Sequence, residues 1–335
     1  MKLFFSFIVP VFNRPNEVDE LLQSLVLQDY DKPFEVVIVE DGSTESSQTV
    51  IDGYRDKLDI TYLFKQNSGP GSSRNYGMQR AKGNYFIVLD SDCIIPPQYL
   101  SVVDASLSKS YVDCFGGPDA AHSSFSQVQK AINYAMTSIL TTGGIRGGKN
   151  SVGKFQPRSF NMGISKEAFQ KTQGFGNIHP GEDPDLTFRI WKAGYKTRLI
   201  PEAYVYHKRR IDWSKFYTQV RKFGMVRPIL NQWHPGTAKI TYWFPSLFCI
   251  GLLVSIVSLF FGLFLPIIIY LLYFGLLFVH SFIVNKSFKV AFLSLIAVLI
   301  QFFGYGIGFF KNSVLLIFSK KEPQVLFPKL FFKTL

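Results

Sequence analysis

Between Trp243 and Val284 the sequence contains no Asp, Glu, Lys or Arg. No other stretch limits the possible folds as strongly. A single helix of that length would reach about 63 Å at roughly 1.5 Å per residue, twice a hydrocarbon core of about 30 Å. Two crossings fit better than one, with a break near "GLFLP" (262–266). After "NKSFK" (285–289) another uncharged run extends from Val290 to Phe310. Both runs pass the roughly 18-residue threshold for spanning, which a buried core hairpin does not need. Two or three membrane helices are therefore expected over 243–311.

The charge follows from the same reading. A formal net charge of +12 suits a nucleic-acid binder or a membrane protein. Here Lys208, Arg209, Arg210, Lys215, Arg221, Lys222, Arg227 and Lys239 cluster just before the first apolar run. The positive-inside rule puts that side in the cytoplasm, at an inner membrane crossed more than once. The membrane explains the charge, so no nucleic-acid partner is expected. Lys286 and Lys289 suit the same side after two crossings. The basic tail, residues 312–335 with Lys311 just before it, does not suit three crossings unless "GYGIG" (304–308) bends the chain back. Residues 211–242 mix cations with Trp213, Phe216, Tyr217, Phe223, Met225 and Trp233. That is the composition of an amphipathic helix lying at a lipid interface. Cys93, Cys114 and Cys249 lack CxxC spacing and read as small hydrophobes on a reducing side.

Residues 1–210 alternate apolar runs with helical periods. Lys2 and the apolar run after it imitate a signal peptide, but Pro10 and Asn13 interrupt it and no small-residue cleavage site follows. "LFFSFIV" (3–9) is instead expected to be a strand covered on both faces. "FEVVIV" (34–39), "ITYLF" (60–64) and "YFIVL" (85–89) are further strands. Between them lie "EVDELLQSLVLQ", "STESSQTVIDGYRDK" with Ser and Thr as caps, and "GPGSSRNYGMQRA" with an early Pro. All three read as helices. This alternation predicts an α/β fold with a mostly parallel sheet.

Ligands of such sheets bind beyond the carboxyl ends of the strands. Strand two ends in Glu40-Asp41-Gly42-Ser43 and strand four in Asp90-Ser91-Asp92. A dinucleotide would need GxGxxG after strand one, where the chain has "VPVFNRPNE" instead. No P-loop is present either. Asp90 and Asp92, at i and i+2, can both offer oxygen to one hard cation. Mg²⁺ or Mn²⁺ held by one or two carboxylates and substrate phosphates is such an arrangement. A polar turn after a strand is the plainer alternative.

The stretches "SFIVPVFNRPNEVDELLQSL", "FEVVIVEDGSTE", "NSGPGSSRNYGMQRAKGNYFIVLDSD" and "FNMGISKEAFQKTQGFGNIHPGEDPDLTFRIWKAGYKTRLIPEAYVYH" resemble family 2 glycosyltransferases with the GT-A fold. The resemblance runs from residue 4 to 207 in the family's order. It implies a Rossmann-like nucleotide-diphospho-sugar transferase domain, followed here by the helical membrane segment. Pro10, Phe12 and Asn13 would line the nucleotide pocket, and Asp41 would hydrogen-bond the base with Glu40 beside it. Gly69 to Arg74, with Asn75, would lie along ribose and diphosphate. Asp90, Ser91 and Asp92 resemble the DxD motif, with Asp92 the direct metal ligand. His207 matches a position that completes the metal site in some members; as a bare residue it is a histidine at the end of a strand.

"GEDPDLTFRIWKAG" (181–194) places Asp183 before Pro184, as a natural N-cap of a helix closing on Gly194. The resemblance makes Asp183 the catalytic base of an inverting transfer, with Glu182 supporting or substituting. Processive synthases of the family carry QxxRW, and none of the four Trp here follows an Arg. "TTGGIRGGKNSVGK" (141–154) has loop composition and matches an acceptor-side lid. The expected enzyme is a non-processive glycosyltransferase using a nucleotide-diphosphate-sugar, a UDP-sugar foremost. Its acceptor is lipid-linked or another glycan near the membrane, with membrane lipids around it. The alternatives are a processive synthase with translocation and a non-catalytic membrane scaffold.

Overall fold

The computed structural model describes residues 2–120, 125–143, 154–207 and 212–332. The chain forms two compact units, one of Met1–His122, Gly153–Lys208 and Phe331–Leu335, the other of Ser123–Val152 and Arg209–Leu330. Strands and helices are numbered along the chain.

In the first unit, β1 (Phe5–Val11), β2 (Glu35–Asp41), β3 (Asp59–Lys65) and β4 (Tyr85–Leu89) alternate with α1 (Pro15–Val26), α2 (Gln48–Asp52) and α3 (Pro70–Arg80). These strands pair in parallel, with Val11 opposite Glu40 and Phe5 opposite Tyr85. β1, β2 and β4 are buried almost throughout, because helices cover both faces of the sheet. Gly77 lets α3 approach closely; a Cβ there would lie 2.8 Å from Ile8.

The order then turns. β5 (Cys93–Ile94) and α4 (Tyr99–Lys109) follow, then β6 (Cys114–Gly116) and β7 (Asp119–Ala120). After the segment that belongs to the other unit come β8 (Asn161–Ser165), α7 (Lys166–Thr172), α8 (Glu182–Lys192), β9 (Thr197–Leu199) and β10 (Val205–His207). The main sheet runs β3-β2-β1-β4-β8-β6-β9, and β5-β10-β7 form a second, small sheet. β8 is antiparallel to both β4 and β6. The GT-A-like mixed sheet is thus present, and strand order reverses between β1 and β4. Such a reversal opens a crevice beyond the strand ends.

Two expected helices differ. Residues 43–47 do not join α2, because Ser43 and the Ser47 N–H bond to Glu40 and the Thr44 and Glu45 N–H groups bond to Asn13. Asp183 is not the N-cap of α8; Gly181 holds that position and Asp183 lies in the first turn. Cys93 and Cys114 are buried and unpaired as disulfides, as small hydrophobes would be.

The second unit contains α5 (Gln127–Thr137), α6 (Ile139–Thr142), α9 (Trp213–Trp233), α10 (Phe244–Leu259), α11 (Leu265–Asn285), α12 (Phe288–Phe318) and α13 (Pro323–Leu326). Among the described residues, three of its helical segments are long and apolar enough to cross a membrane: Ile240–Leu259, Leu265–Asn285 and Phe288–Phe318. The break between the first two falls at 260–264, where Gly262 has φ 73°. The "GYGIG" stretch does not turn the chain back, since α12 continues through it to Phe318. Its glycines serve packing instead. A Cβ on Gly304 would meet Val220, and one on Gly308 would meet the Arg221 carbonyl of α9. Small residues of this kind let membrane helices approach backbone to backbone. The expected lid falls largely on 144–153, outside the described residues.

Candidate active site

The loop after β1 is tied to the loop after β2 by one residue. Asn13, at φ 53°, accepts on Oδ1 from the N–H groups of Thr44 (2.8 Å) and Glu45 (3.0 Å) and donates its own N–H to Ser43 Oγ (2.8 Å). Asn tolerates this left-handed conformation better than most residues. Beside it Phe12 is half exposed, and Pro10 sits within β1 opposite Val39. Glu40 is fully buried, accepting from Ser43 Oγ and from Ser47 N–H at 2.9 Å. Asp41 accepts from the N–H groups of Ser68 and Gly69, both at 3.0 Å, and from Lys65. The two acids thus shape the loops: Glu40 closes the 43–47 turn, and Asp41 fixes the entry to α3.

Behind these loops stands Arg74, 3% exposed on α3. Its Nη2 donates to Asp90 Oδ1 at 2.7 Å, its Nη1 lies 3.5 Å from Glu182 Oε1, and the guanidinium sits over the Phe175 ring. Asn75, next on the helix, uses both ends of its amide on the Phe175 backbone, each at 2.8 Å. It therefore fastens α3 to the loop before α8. Asp92 accepts from Arg14 Nη1 at 2.6 Å, and Ser91 between the two acids is buried.

Asp90 and Asp92 keep 32% and 14% of their side chains exposed. As a pair of oxygen donors they fit a hard divalent cation whose shell is completed by phosphate and water. No group of three or more potential metal-ligating side chains occurs among the described residues. The His207 backbone pairs with Cys93, which follows Asp92; its side chain lies outside the described residues.

The other carboxylate pair opens α8. Glu182 is buried, with Oε1 2.9 Å from His179 Nδ1. Burial alone would raise its carboxyl pKa, but the His179 hydrogen bond and charge, with Arg74, outweigh it and hold the group below the usual range. Asp183 behaves in the opposite way. Its Oδ1 is buried without a hydrogen-bond partner. Burial and the neighbouring Glu182 charge push it up to about 6, against the opposing pull of Arg74, Arg158 and the Ser159 hydroxyl. Two adjacent carboxyls are therefore split, Glu182 ionised and Asp183 able to carry a proton near neutrality.

Arg74 brings the acids after β4 and the acids opening α8 to one guanidinium. Arg14, His179, Arg158 and Ser159 were not among the residues expected from sequence. His179 stands three residues before Glu182 in the turn that enters α8. Arg14, Arg158 and Ser159 carry no comparable signal.

Residues 6–172 match the family model described as glycosyl transferase family 2. The poly(ribitol-phosphate) beta-N-acetylglucosaminyltransferase TarS of Staphylococcus aureus is 37% identical over 112 residues, 32% of this chain and 20% of the relative. The chondroitin synthase of Pasteurella multocida is 40% identical over 99 residues, 29% of this chain and 10% of the relative. The matched part of this chain thus spans a fifth or less of these relatives' length. Among solved structures, the mannosyltransferase PcManGT of Pyrobaculum calidifontis, in complex with GDP-Man and Mn²⁺, superposes with a TM-score of 0.63 at 14% identity. That match covers 96% of this chain and 89% of the other and shows a shared fold. Through residues 6–172 the chain belongs to glycosyl transferase family 2.

Proposed function

We propose that the protein is a membrane-anchored, metal-dependent glycosyltransferase of cell-surface glycan synthesis. It moves a sugar from a nucleotide-diphosphate donor to a lipid-linked or membrane-proximal acceptor, with inversion and one linkage per encounter. The observation that carries this reading is Arg74, which joins Asp90 at 2.7 Å to Glu182 at 3.5 Å. One buried cation thus links a pair suited to a metal-diphosphate to a pair suited to proton transfer.

Phe12 offers an exposed ring for the base, at the loop that Asn13 and Glu40 hold open. Asp90 and Asp92 would hold Mg²⁺ or Mn²⁺ on the donor diphosphate. When bound, such an ion supplies positive charge that stabilises the departing diphosphate. Arg14 and Arg74 add positive charge beside the same acids. Asp183 takes the proton of the acceptor hydroxyl as its oxygen bonds to the anomeric carbon and the bond to the diphosphate breaks. Glu182 stays ionised, and its charge raises the affinity of Asp183 for that proton. A carboxyl of pKa about 6 matches proton transfer near neutral pH. One relative's name, that of TarS, supports an N-acetylglucosamine donor, with a UDP-sugar the first candidate. The apolar helices and the cations of 208–239 support an inner-membrane anchor with this unit on the cytoplasmic side, and the return of Phe331 and Phe332 to this unit supports an even number of crossings in place of three.

The test is nucleotide release by detergent-solubilised protein across a panel of sugar nucleotides, with Mn²⁺ or Mg²⁺ and membrane lipid extract as acceptor. Release from one donor, lost on chelation and in Asp92→Ala and Asp183→Asn, is expected. No release and no metal-dependent donor binding by folded protein would leave the non-catalytic scaffold.

A further inference from the structure

Residues 331 and 332 belong to the first unit, although more than 120 residues separate them from the rest of it in sequence. Phe331 forms an antiparallel bridge with Ile178, and the Phe332 N–H donates to the Asn177 carbonyl at 2.9 Å. The Phe332 ring then meets two loops at once. Its centroid is 5.6 Å from that of His179, and a Cβ on Gly69 would lie 2.4 Å from its Cδ2. Gly69, at φ 92°, is the N-cap of α3 in the donor-side loop. His179 is the hydrogen-bond partner of Glu182. Reading the tail as a basic extension gave no hint of this placement.

We propose that Phe332 is a positioning residue for the transfer. It braces His179, and through it Glu182 and Asp183, against the Gly69 turn. The inference rests on the reading of Asp183 as base and of residues 69–74 as donor loop. The two contacts differ in consequence. The Gly69 N–H has an independent anchor in Asp41 at 3.0 Å, so the donor loop keeps its shape without the ring. His179 has a side chain 39% exposed and is braced by Glu182 on one side and Phe332 on the other. Loss of the ring therefore acts on the base side. A base displaced by a fraction of an ångström slows the chemical step more than it weakens binding.

The experiment uses the full chain in detergent and has two arms. The first is hydrogen exchange without donor, comparing peptides covering 66–75 and 175–183 in wild type, Phe332→Ala and Phe332→Tyr. Exchange in 175–183 rises at least about threefold in Phe332→Ala, stays near wild type in Phe332→Tyr, and the β1 and β4 peptides remain protected. Unchanged exchange in 175–183 overturns the proposal. The second arm is nucleotide release from UDP-N-acetylglucosamine with Mn²⁺. Phe332→Ala lowers kcat about tenfold with donor KM changed less than about threefold, and has little further effect in a His179→Ala background. Equal losses in both backgrounds would mean that Phe332 only stabilises the fold, and would also overturn it. If wild type released no nucleotide, the proposed function would suffer, while the exchange arm would still decide the placement of Phe332.

Discussion

Arg74 donates to Asp90 at 2.7 Å from a side chain that is itself 4% exposed. Burying a guanidinium is costly unless its charge is answered. Here Asp90 answers it on one side and Glu182 on the other. A lysine is a point charge on a flexible stem and cannot span both acids. Arg74→Lys should therefore lower kcat/KM by about 10²-fold or more, the scale seen when a preorganised charge is lost from a reacting site. Arg74→Met should also lower stability, because the buried Glu182 then keeps only His179 to answer its charge. Kinetics and thermal melts in detergent test both, and wild-type kcat/KM in Arg74→Lys would remove the residue from the site.

Asp183 sets the pH dependence. A base must be deprotonated to act, so kcat/KM should rise about tenfold per pH unit up to about 6 and level off above it. Asp183→Asn should remove that limb with nearly all activity. Stability should run the other way. The folded state holds the Asp183 proton up to about pH 6, while the unfolded chain releases it near 3.8. Between those values the native state binds more protons, so this group's contribution falls as pH rises. A pH–rate profile beside melts at pH 4 and 7 checks the two signs. A flat profile between pH 5 and 7 would exclude Asp183 as the base.

Asp92 tests the metal reading. EDTA should abolish donor binding, measured calorimetrically, and added Mn²⁺ or Mg²⁺ should restore it. Lost metal stabilisation of a diphosphate amounts to several kcal/mol, so Asp92→Ala should lower kcat/KM about a hundredfold or more. Its partner Arg14 is only half-buried, with 44% of its side chain exposed. Arg14→Ala should therefore retain metal dependence and lose donor affinity by a smaller factor. Donor binding indifferent to EDTA would refute the role of the acid pair.

The sequence was most legible where burial imposes a pattern. The runs around Ile8, Ile38 and Val88 are apolar because both faces of the sheet are covered, so these three strands could be read directly. The apolar runs after Trp243 were equally plain. What stayed hidden depends on partners distant in sequence. Ser43 and Thr44 read as helix caps because nothing local reveals that Glu40 and Asn13 capture the turn. The glycines at 304–308 read as a bend because the packing of α9 against them lies some 80 residues upstream. Asn75 sat in the right motif, but its amide serves the backbone of Phe175, 100 residues away. Phe332 could not have been found from local pattern at all.

The turn between Glu40 and Asn13 gives the last prediction. Glu40 accepts from Ser43 and from Ser47 N–H, and Asn13 accepts from Thr44 and Glu45 N–H. Both therefore hold one five-residue segment, from opposite sides. Glu40→Ala leaves a buried N–H without its acceptor, which costs about 1–3 kcal/mol. Asn13→Ala removes the acceptor of the Thr44 and Glu45 N–H groups and forces a residue with a Cβ and no local hydrogen bond to φ 53°. Each should raise donor KM more than it lowers kcat, because the segment borders the exposed Phe12 and not Asp183. Because they act on the same turn, their effects should not add: once either tie is gone the turn has already lost its shape. The double variant should raise donor KM little beyond the larger single effect. Strict additivity in a double-mutant cycle would instead assign Glu40 and Asn13 separate, direct contacts with the nucleotide.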